Sequence, residues 1–474
     1  AANNTAVGHK ALIANTTGAN LVALGGSALV ANTTGNSNVG IGYLALDANT
    51  TASNNIAIGQ HAVGTNTTGA SNVGIGHEAL YLNTTAANNT AVGFQALRAN
   101  TTGASNVAIG SLSLATNTTA ANNTAVGYAS LNLNTTGASN SALGRGSLAS
   151  NTTASNNTGL GYNALNANTT GTRNTSVGVA AAGSNTTASY HVAIGYNAMS
   201  STTTGAANIA IGDSALSVNT TGANNVAIGT FDGTTLPALY DNTTGSFNVA
   251  VGNGALNNNT TASNNTAVGR LALGANTTGT ENVAVGANAL AAQTTGGYNV
   301  AVGYGAGDAM TTAEYSVAVG RNALGAATTG GANTAVGDSA LAADTTGASN
   351  TALGYGSLIA NTTAANNTAV GRDALGANTT GPRNVAVGES AGASVTTGDN
   401  NVCLGYQSGV ATTTLTTGTS NILIGTYVHT SAVDSSKAFG LGYNLSCEAG
   451  YTTLGDGTSD IRAANGTATW ATVS

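Results

Sequence analysis

Residues 106–122 read Asn-Val-Ala-Ile-Gly-Ser-Leu-Ser-Leu-Ala-Thr-Asn-Thr-Thr-Ala-Ala-Asn, and the same pattern of residue types returns at once in residues 123–139. We number the positions of this unit 1 to 17, from Asn106 to Asn122. The glycine at position 5 recurs every 17 residues from residue 8 to 229 and from 252 to 405, and then at 425 and 442. The chain therefore contains 26 copies of one short unit, with insertions near residues 230–240 and 412–415. Self-similarity at a fixed short period is typical of a solenoid.

The residues before the glycine predict a β-strand. Val107 and Ile109 alternate with the small Ala108, which is the period-2 pattern of a strand. Position 4 is Val, Ile or Leu in every unit, so we expect it to face the interior, whereas the freely varying position 6 faces solvent. The small residue at position 3 then predicts either the close approach of another chain or a very tight interior. A second short strand is expected at the Ala-Leu pair, as in Ala96-Leu97.

A unit of 17 residues is too short for two helices and a turn, so the units are expected to stack as β-coils. Stacking pairs the backbone in parallel and places like residues about 4.8 Å apart, where Asn and Thr can form hydrogen-bonded ladders and like charges would repel. Only 6% of the residues are charged, which fits this arrangement. The predicted fold is all-β: an elongated parallel β-solenoid, or β-roll, of about 26 coils and on the order of 120 Å in length. It covers residues 1–442, and residues 443–474 form a non-repeat C-terminal cap.

Composition argues against several functional classes. A net charge of −7 with only 10 Lys and Arg residues leaves no basic stripe for nucleic acid. No apolar run approaches the ~20 residues that cross a bilayer, so membrane insertion is not expected. The five histidines fall in different units without carboxylate partners, so neither an enzyme nor a cofactor is expected. Cys403 and Cys447 are interpreted as buried thiols, because two isolated cysteines make neither a disulfide framework nor a metal site.

Aromatic residues mark the candidate recognition surfaces. Tyrosines directly after the glycine are expected to form an interrupted exposed column, although rings that merely cover the edge of a thin core are the simpler interpretation. The first insertion is expected to emerge as a loop. The candidate residues are Tyr43, Tyr128, Tyr162, Tyr196, Tyr304, Tyr355 and Tyr406 in the column, with Phe231 and Tyr240 in the insertion.

The Asn-Thr-Thr triplets have two further interpretations. They match the N-glycosylation acceptor, but ladder formation at the corners of the coil already requires these residues and is the favoured interpretation. Regular threonine rows also suggest an ice-binding array. Adjacent threonines place only one side chain on each face of a strand, so a flat two-column threonine array is not expected.

The core pattern [ST]-[VT]-A-[VI]-G-x-x-A resembles the head repeat of YadA-type trimeric autotransporter adhesins, which are left-handed parallel β-rolls that assemble as trimers. The unit departs from that repeat in being longer and in carrying an N-T-T-G corner. The extended form is similar to repeats in bacteriophage tail fibres. Residues 449–474 resemble the segment before the intramolecular chaperone of endosialidase-type phage fibres, where cleavage occurs between Ser and Asp. This resemblance implies that Ser474 is a maturation end.

Repeat and resemblance together favour a homotrimeric, extracellular structural fibre. The leading hypothesis is the shaft of a bacteriophage tail fibre used for host attachment, with the chain itself and a host-surface glycan or receptor as partners. A bacterial trimeric surface adhesin or a self-assembling extracellular filament is the second hypothesis. An ice-binding or glycan-binding solenoid is the third.

Overall fold

The computed structural model describes residues 3–410, 414–467 and 469–473. The chain forms two compact units, the first of residues 1–231 with 240–244 and the second of residues 232–239 with 245–474. None of the described residues is helical, and successive three-residue strands follow one another at the spacing of the repeat. The predicted all-β parallel solenoid is therefore confirmed.

In the part of the first unit that the structure describes there are fourteen strands, each covering positions 2 to 4 of one repeat. They are Thr5–Val7 (β1), Val22–Leu24 (β2), Val39–Ile41 (β3), Ile56–Ile58 (β4), Val73–Ile75 (β5), Thr90–Val92 (β6), Val107–Ile109 (β7), Thr124–Val126 (β8), Ser141–Leu143 (β9), Thr158–Leu160 (β10), Thr175–Val177 (β11), Val192–Ile194 (β12), Ile209–Ile211 (β13) and Val226–Ile228 (β14).

The second unit continues the pattern and then departs from it. Its repeat strands are Val249–Val251 (β15), Thr266–Val268 (β16), Val283–Val285 (β17), Val300–Val302 (β18), Val317–Val319 (β19), Thr334–Val336 (β20), Thr351–Leu353 (β21), Thr368–Val370 (β22), Val385–Val387 (β23), Val402–Leu404 (β24) and Ile422–Ile424 (β25). The remaining strands are His429–Thr430 (β26), Phe439–Gly442 (β27), Ser446–Cys447 (β28), Tyr451–Gly455 (β29), Asp460–Ala464 (β30) and Ala471–Val473 (β31).

Neighbouring repeats pair in parallel and in register. Ala108 of β7 lies opposite Ala91 of β6 and Ala125 of β8, and the same offset of one repeat holds along each unit. Every position of the repeat therefore forms a column of like residues, which is why the sequence pattern is so uniform. Beyond β27 the pairing changes: β29 pairs in parallel with β27, whereas β30 and β31 add antiparallel strands.

The glycine at position 5 ends each strand. Gly110 has a φ of +128°, which L side chains rarely adopt. A Cβ at Gly110 would also lie 2.6 Å from the carbonyl oxygen of Gly127 in the next coil. Both the backbone angle and the stacking distance thus require glycine at this corner.

The rest of the coil is built from turns, so the second strand predicted at Ala96-Leu97 is wrong. Leu97 has a φ of +51°, which no strand residue adopts. The left-handed conformation recurs at positions 7, 9 and 17, as in Leu112, Leu114 and Asn122. Inter-coil pairing continues through these turns, because the Leu97 amide donates to the Ser113 carbonyl at 2.9 Å. Burial and hydrogen bonding offset the roughly 1 kcal/mol that a left-handed leucine costs.

Small and medium side chains from positions 3, 8 and 9 form the core. In one coil these are Ala91, Ala96 and Leu97, all fully buried. At position 3 of another coil, a Cβ added to Gly40 would lie 3.2 Å from Leu29 Cγ. A tight interior, rather than a neighbouring chain, therefore accounts for the small residue at position 3.

A ladder of buried asparagines follows position 12. Asn117 Nδ2 donates to Asn100 Oδ1 at 2.9 Å and to the Ala120 carbonyl at 3.0 Å, and its own Oδ1 accepts from Asn134 Nδ2. The neighbouring Thr118 hydroxyl donates to the Thr135 carbonyl. The predicted Asn and Thr ladders are confirmed. Because the ladder asparagine is fully buried, the same contacts favour the structural interpretation of the Asn-Thr-Thr triplets.

Candidate binding surfaces

The strands present their larger side chains outward, so the prediction that position 4 faces the interior is wrong. Val7, Ile109 and Leu441 are 56%, 41% and 47% exposed, whereas Ala108 is fully buried. Alternation along a strand defines two faces without saying which one lies inside. The opposing Leu column at position 9 fills the interior so completely that only the small face fits against it.

We call the outward residues at positions 2 and 4 the strand face. Along β1–β14 and along β15–β25 these positions hold only Val, Ile, Leu, Thr and Ser. At β8–β10 the strand face forms an open apolar groove of about 310 Å³, lined by Thr124, Val126, Leu143 and Leu160 among others. A soluble single chain rarely leaves a continuous apolar surface of this kind exposed.

The seven predicted tyrosines at position 6 are all exposed: Tyr43, Tyr128, Tyr162, Tyr196, Tyr304, Tyr355 and Tyr406. They are spread along both units, and some contact neighbours in the column. The guanidinium carbon of Arg145 lies 5.7 Å from the centroid of the Tyr128 ring and 5.8 Å from that of Tyr162. Phe94 and Tyr443 occupy the same position and are also exposed.

The first insertion contributes one exposed aromatic ring. Phe231 is exposed, whereas Tyr240 is half-buried. Within the insertion, Asp232 Oδ1 accepts hydrogen bonds from the Thr235 and Thr234 amides, which lower the pKa of the Asp232 carboxyl. The second insertion, 412–415, lies partly outside the described residues, and Ser474 lies outside them altogether.

A second aromatic column at position 17 escaped the sequence analysis. It contains Tyr190, Phe247, Tyr298 and Tyr315, all exposed. The rings of Tyr298 and Tyr315 are stacked, with centroids 5.1 Å apart and planes 8° from parallel. Aligning the repeats at position 17 would have shown that these two tyrosines occupy successive coils.

Neither cysteine is exposed. Cys403 and Cys447 are free and buried, as predicted, and burial raises the pKa of each thiol to about 12. Among the described residues no group of three or more His, Cys, Asp or Glu side chains is arranged to hold a metal ion. In the same part of the chain, no helix has the length and apolar character needed to span a membrane.

Two titratable residues occupy columns of buried asparagines, one at position 12 and one at position 1 of the repeat. At position 12, Asp344 Oδ1 accepts from the Gly347 amide and from Asn361 Nδ2, while Asp344 Oδ2 is buried without a hydrogen-bond partner among the described residues. Burial raises the pKa of Asp344 to about 7. At position 1, His191 Nδ1 accepts from the Asn208 amide, and burial lowers the pKa of His191 to about 4.

These two residues give opposite pH dependences. The folded state holds the Asp344 proton more tightly than the unfolded chain does. Protonated Asp344 therefore contributes its full share of the folding stability below about pH 4, and this stability is lost as the pH rises towards 7. His191 must stay neutral in the folded state, so its contribution is present above about pH 6.5 and is lost as the pH falls towards 4.

Asp344→Asn is expected to stabilise the second unit at neutral and alkaline pH, because it removes an unpaired buried charge and restores an amide to the ladder. The gain in unfolding free energy should be roughly 3 kcal/mol at pH 8 and should shrink towards pH 4. Thermal unfolding across this pH range checks the prediction, with the exposed Asp434→Asn as the control. A gain that is independent of pH would contradict it.

Comparisons of the chain with protein-family models, with curated proteins and with solved structures found no match in any of the three. The fold therefore defines the class of protein, a β-solenoid repeat protein.

Proposed function

We propose that the chain is the structural shaft of an extracellular fibre and that identical chains assemble through the strand face into a homotrimer. The observation that carries this proposal is the outward, uncharged, largely aliphatic strand face, exemplified by Ile109 and Ile194. Covering such a face stabilises the assembly by roughly 25 cal/mol for each Å² of apolar surface removed from water.

The size of the strand face supports a stable assembly. With two partly exposed side chains per coil, the fourteen strands of the first unit present on the order of 1,000 Å² of largely apolar surface, against roughly 800 Å² per partner in a standard interface. A partner must be complementary to a strand face whose side chains repeat at every coil. Another copy of the chain has the same repeat by construction, and the absence of charges from the strand face avoids repulsion between copies.

The number of chains and the owner of the fibre rest on the sequence resemblance. Repeats similar to YadA-type heads support three chains. The N-T-T-G corner and residues 449–474 support a bacteriophage tail fibre for host attachment over a bacterial adhesin or a self-assembling filament. The change to antiparallel strands at β30 and β31 supports a cap after the last repeat. In this proposal the chain carries no catalytic activity.

An ice-binding role is the second candidate. The strand face offers two parallel outward columns, at positions 2 and 4, whereas the Asn-Thr-Thr corner does not provide two such columns. Thr90, Thr124 and Thr158 place hydroxyls in one of these columns. This role requires a strand face that stays open to water, whereas a fibre shaft requires it covered.

Native mass in solution distinguishes the two candidates. We expect a particle of three chains, and we expect Ile194→Asp combined with Ile211→Asp to dissociate it, because these side chains lie opposite each other on β12 and β13 and charge would be trapped in the interface. The control is Thr204→Asp with Thr221→Asp, which adds the same charge at exposed sites outside the strand face.

Analytical ultracentrifugation of the parent and both variants gives the result, and circular dichroism establishes that each chain is folded. A monomeric parent chain would overturn the proposed assembly, and thermal hysteresis from that monomer would favour ice binding. Dissociation by the control pair as well as by the strand-face pair would place the interface elsewhere.

A further inference from the structure

The stacked tyrosines at position 17 lie beside a cleft in the second unit. The cleft is shallow and largely open to solvent, has a volume of about 370 Å³ and is lined by residues from three successive coils. Tyr315 and Glu314 come from the first coil, Thr329 and Gly331 from the next, and Ser349 from the third. This volume is at the lower end of the range for small-molecule sites and accommodates roughly one or two pyranose rings.

The cleft exists because bulky and small residues meet at one step of the solenoid. Backbone hydrogen bonds fix the order of the coils: the Ala332 amide donates to the Glu314 carbonyl at 2.9 Å, and the Ser349 amide donates to the Gly331 carbonyl at 3.1 Å. After Tyr298 and Tyr315, the position-17 column continues with only the methyl group of Ala332. A Cβ at Gly331 would lie 2.9 Å from the Glu314 carbonyl oxygen, so this floor is kept free of side chains.

The Tyr315 ring lies at the edge of this cleft and is stacked on a second ring. One face of the ring stacks on Tyr298, which fixes its orientation, and the side chain is 61% exposed. A ring that is already ordered loses little entropy when a ligand stacks on its other face. The cleft opens on the side of the Tyr315 ring that faces Ala332, where the side chain at position 17 is only a methyl group.

The polar groups around the cleft are hydroxyls and one carboxylate. Thr312, Thr329 and Ser349 carry hydroxyls, and Glu314 is exposed at the rim. An aromatic face beside several hydroxyl partners matches a pyranose, which has one face of C–H groups and a periphery of hydroxyls. A purely apolar ligand would leave these hydroxyls without a role.

We propose that this cleft, built around Tyr315, is a binding site for a neutral carbohydrate. The sugar lies over Gly331 and Ala332 with its C–H face against the free face of the Tyr315 ring, and its hydroxyls bond to the threonine and serine hydroxyls and to Glu314. The site lies within one chain, so it does not depend on the proposed assembly.

Saturation-transfer NMR and isothermal titration with maltotetraose, cellotetraose, mannotetraose and tetra-N-acetylchitotetraose test the proposal on the full chain. At least one of these saccharides is expected to bind, and Tyr315→Ala should weaken the Kd roughly tenfold or more. Phe247→Ala is the matched control, because Phe247 occupies the same position 17 in the second unit, is 60% exposed and does not line the cleft. Its Kd should stay within about twofold of the parent value.

Ala332→Tyr provides a second variant that fills the cleft instead of emptying it. Ala332 has a φ of +57°, the same left-handed conformation that Tyr298 and Tyr315 adopt, so tyrosine is accommodated there. The added ring should extend the stack and weaken binding roughly tenfold while leaving the fold intact. A saccharide that binds this variant and Tyr315→Ala as tightly as the parent would overturn the proposal, as would the failure of all four saccharides to bind.

Glu314→Gln separates a sugar site from a site for an organic cation, which an aromatic face beside a carboxylate would also attract. Glutamine keeps the hydrogen-bonding oxygen, so saccharide affinity should fall by no more than about fivefold. Binding of tetramethylammonium in preference to all four saccharides, abolished by Glu314→Gln, would show a cation site and overturn the carbohydrate assignment.

Discussion

Ala108→Asp should unfold the coils around β7, whereas Ile109→Asp in the adjacent position should leave them folded. Ala108 is fully buried against the Leu column, so its replacement both overfills the interior and buries an unpaired carboxylate. The expected loss is about 3–5 kcal/mol in the free energy of local unfolding. Ile109 is 41% exposed, and an Asp there remains hydrated in the single chain.

Hydrogen exchange of the amides in β6, β7 and β8 measures this difference directly, because a solenoid can open locally without global unfolding. Loss of protection should be confined to Ala108→Asp and should fade over a few coils on either side. If Ile109→Asp lost protection in a chain that ultracentrifugation showed to be monomeric, the outward assignment of position 4 would be wrong.

Breaking the asparagine ladder is expected to have the second largest effect. Asn117→Leu keeps the branched shape of the side chain but is bulkier; it removes the donor to Asn100 Oδ1 and to the Ala120 carbonyl, and it removes the acceptor for Asn134 Nδ2. Buried polar groups left without partners cost about 1–3 kcal/mol each, so local stability should fall by roughly 2–5 kcal/mol.

The chain contains natural interruptions that allow the reverse experiment. Where position 12 is not asparagine in the following coil, the preceding asparagine keeps a buried oxygen without a partner: Asn185 before Thr202, Asn276 before Gln293 and Asn378 before Val395. Thr202→Asn should supply the missing donor to Asn185 Oδ1 and raise stability by about 1 kcal/mol.

Thermal unfolding and hydrogen exchange of Asn117→Leu and Thr202→Asn, each compared with the parent chain, measure the two effects. Opposite signs are expected because one variant opens the ladder and the other closes a gap in it. Equal stability of all three chains would mean that the asparagine ladder does not contribute measurably to holding the coils together.

The repeat predicted most of the fold because stacking turns a one-dimensional period into a three-dimensional register. A spacing of 17 residues between glycines indicated parallel coils and a hydrogen-bonded ladder at the Asn-Thr-Thr corner, which includes Asn117. The exposure of the position-6 tyrosines followed from the same columns, whereas the free buried thiols at Cys403 and Cys447 followed from the isolation of the two cysteines in the sequence. The conclusions drawn from the columns depend only on which residues recur.

Three features could not be obtained in this way. The turn at Ala96-Leu97 resembles a strand in sequence, since the Ala-Leu pair itself does not show that Leu97 adopts a left-handed conformation. The cleft beside Tyr315 forms where the position-17 column passes from tyrosine to Ala332, and its shape depends on packing between coils, which the column of residue types does not give. The missing partner of Asp344 Oδ2 depends on burial, which the letter Asp does not reveal.

The amino-acid pattern alone established the period, the parallel register and the columns of like residues, because these follow from spacing. The direction in which each side chain points was settled by packing. A strand has two faces, and the leucine at position 9 leaves room inside for only the smaller one, so Ala108 lies in the core and Ile109 lies on the surface where a partner can cover it.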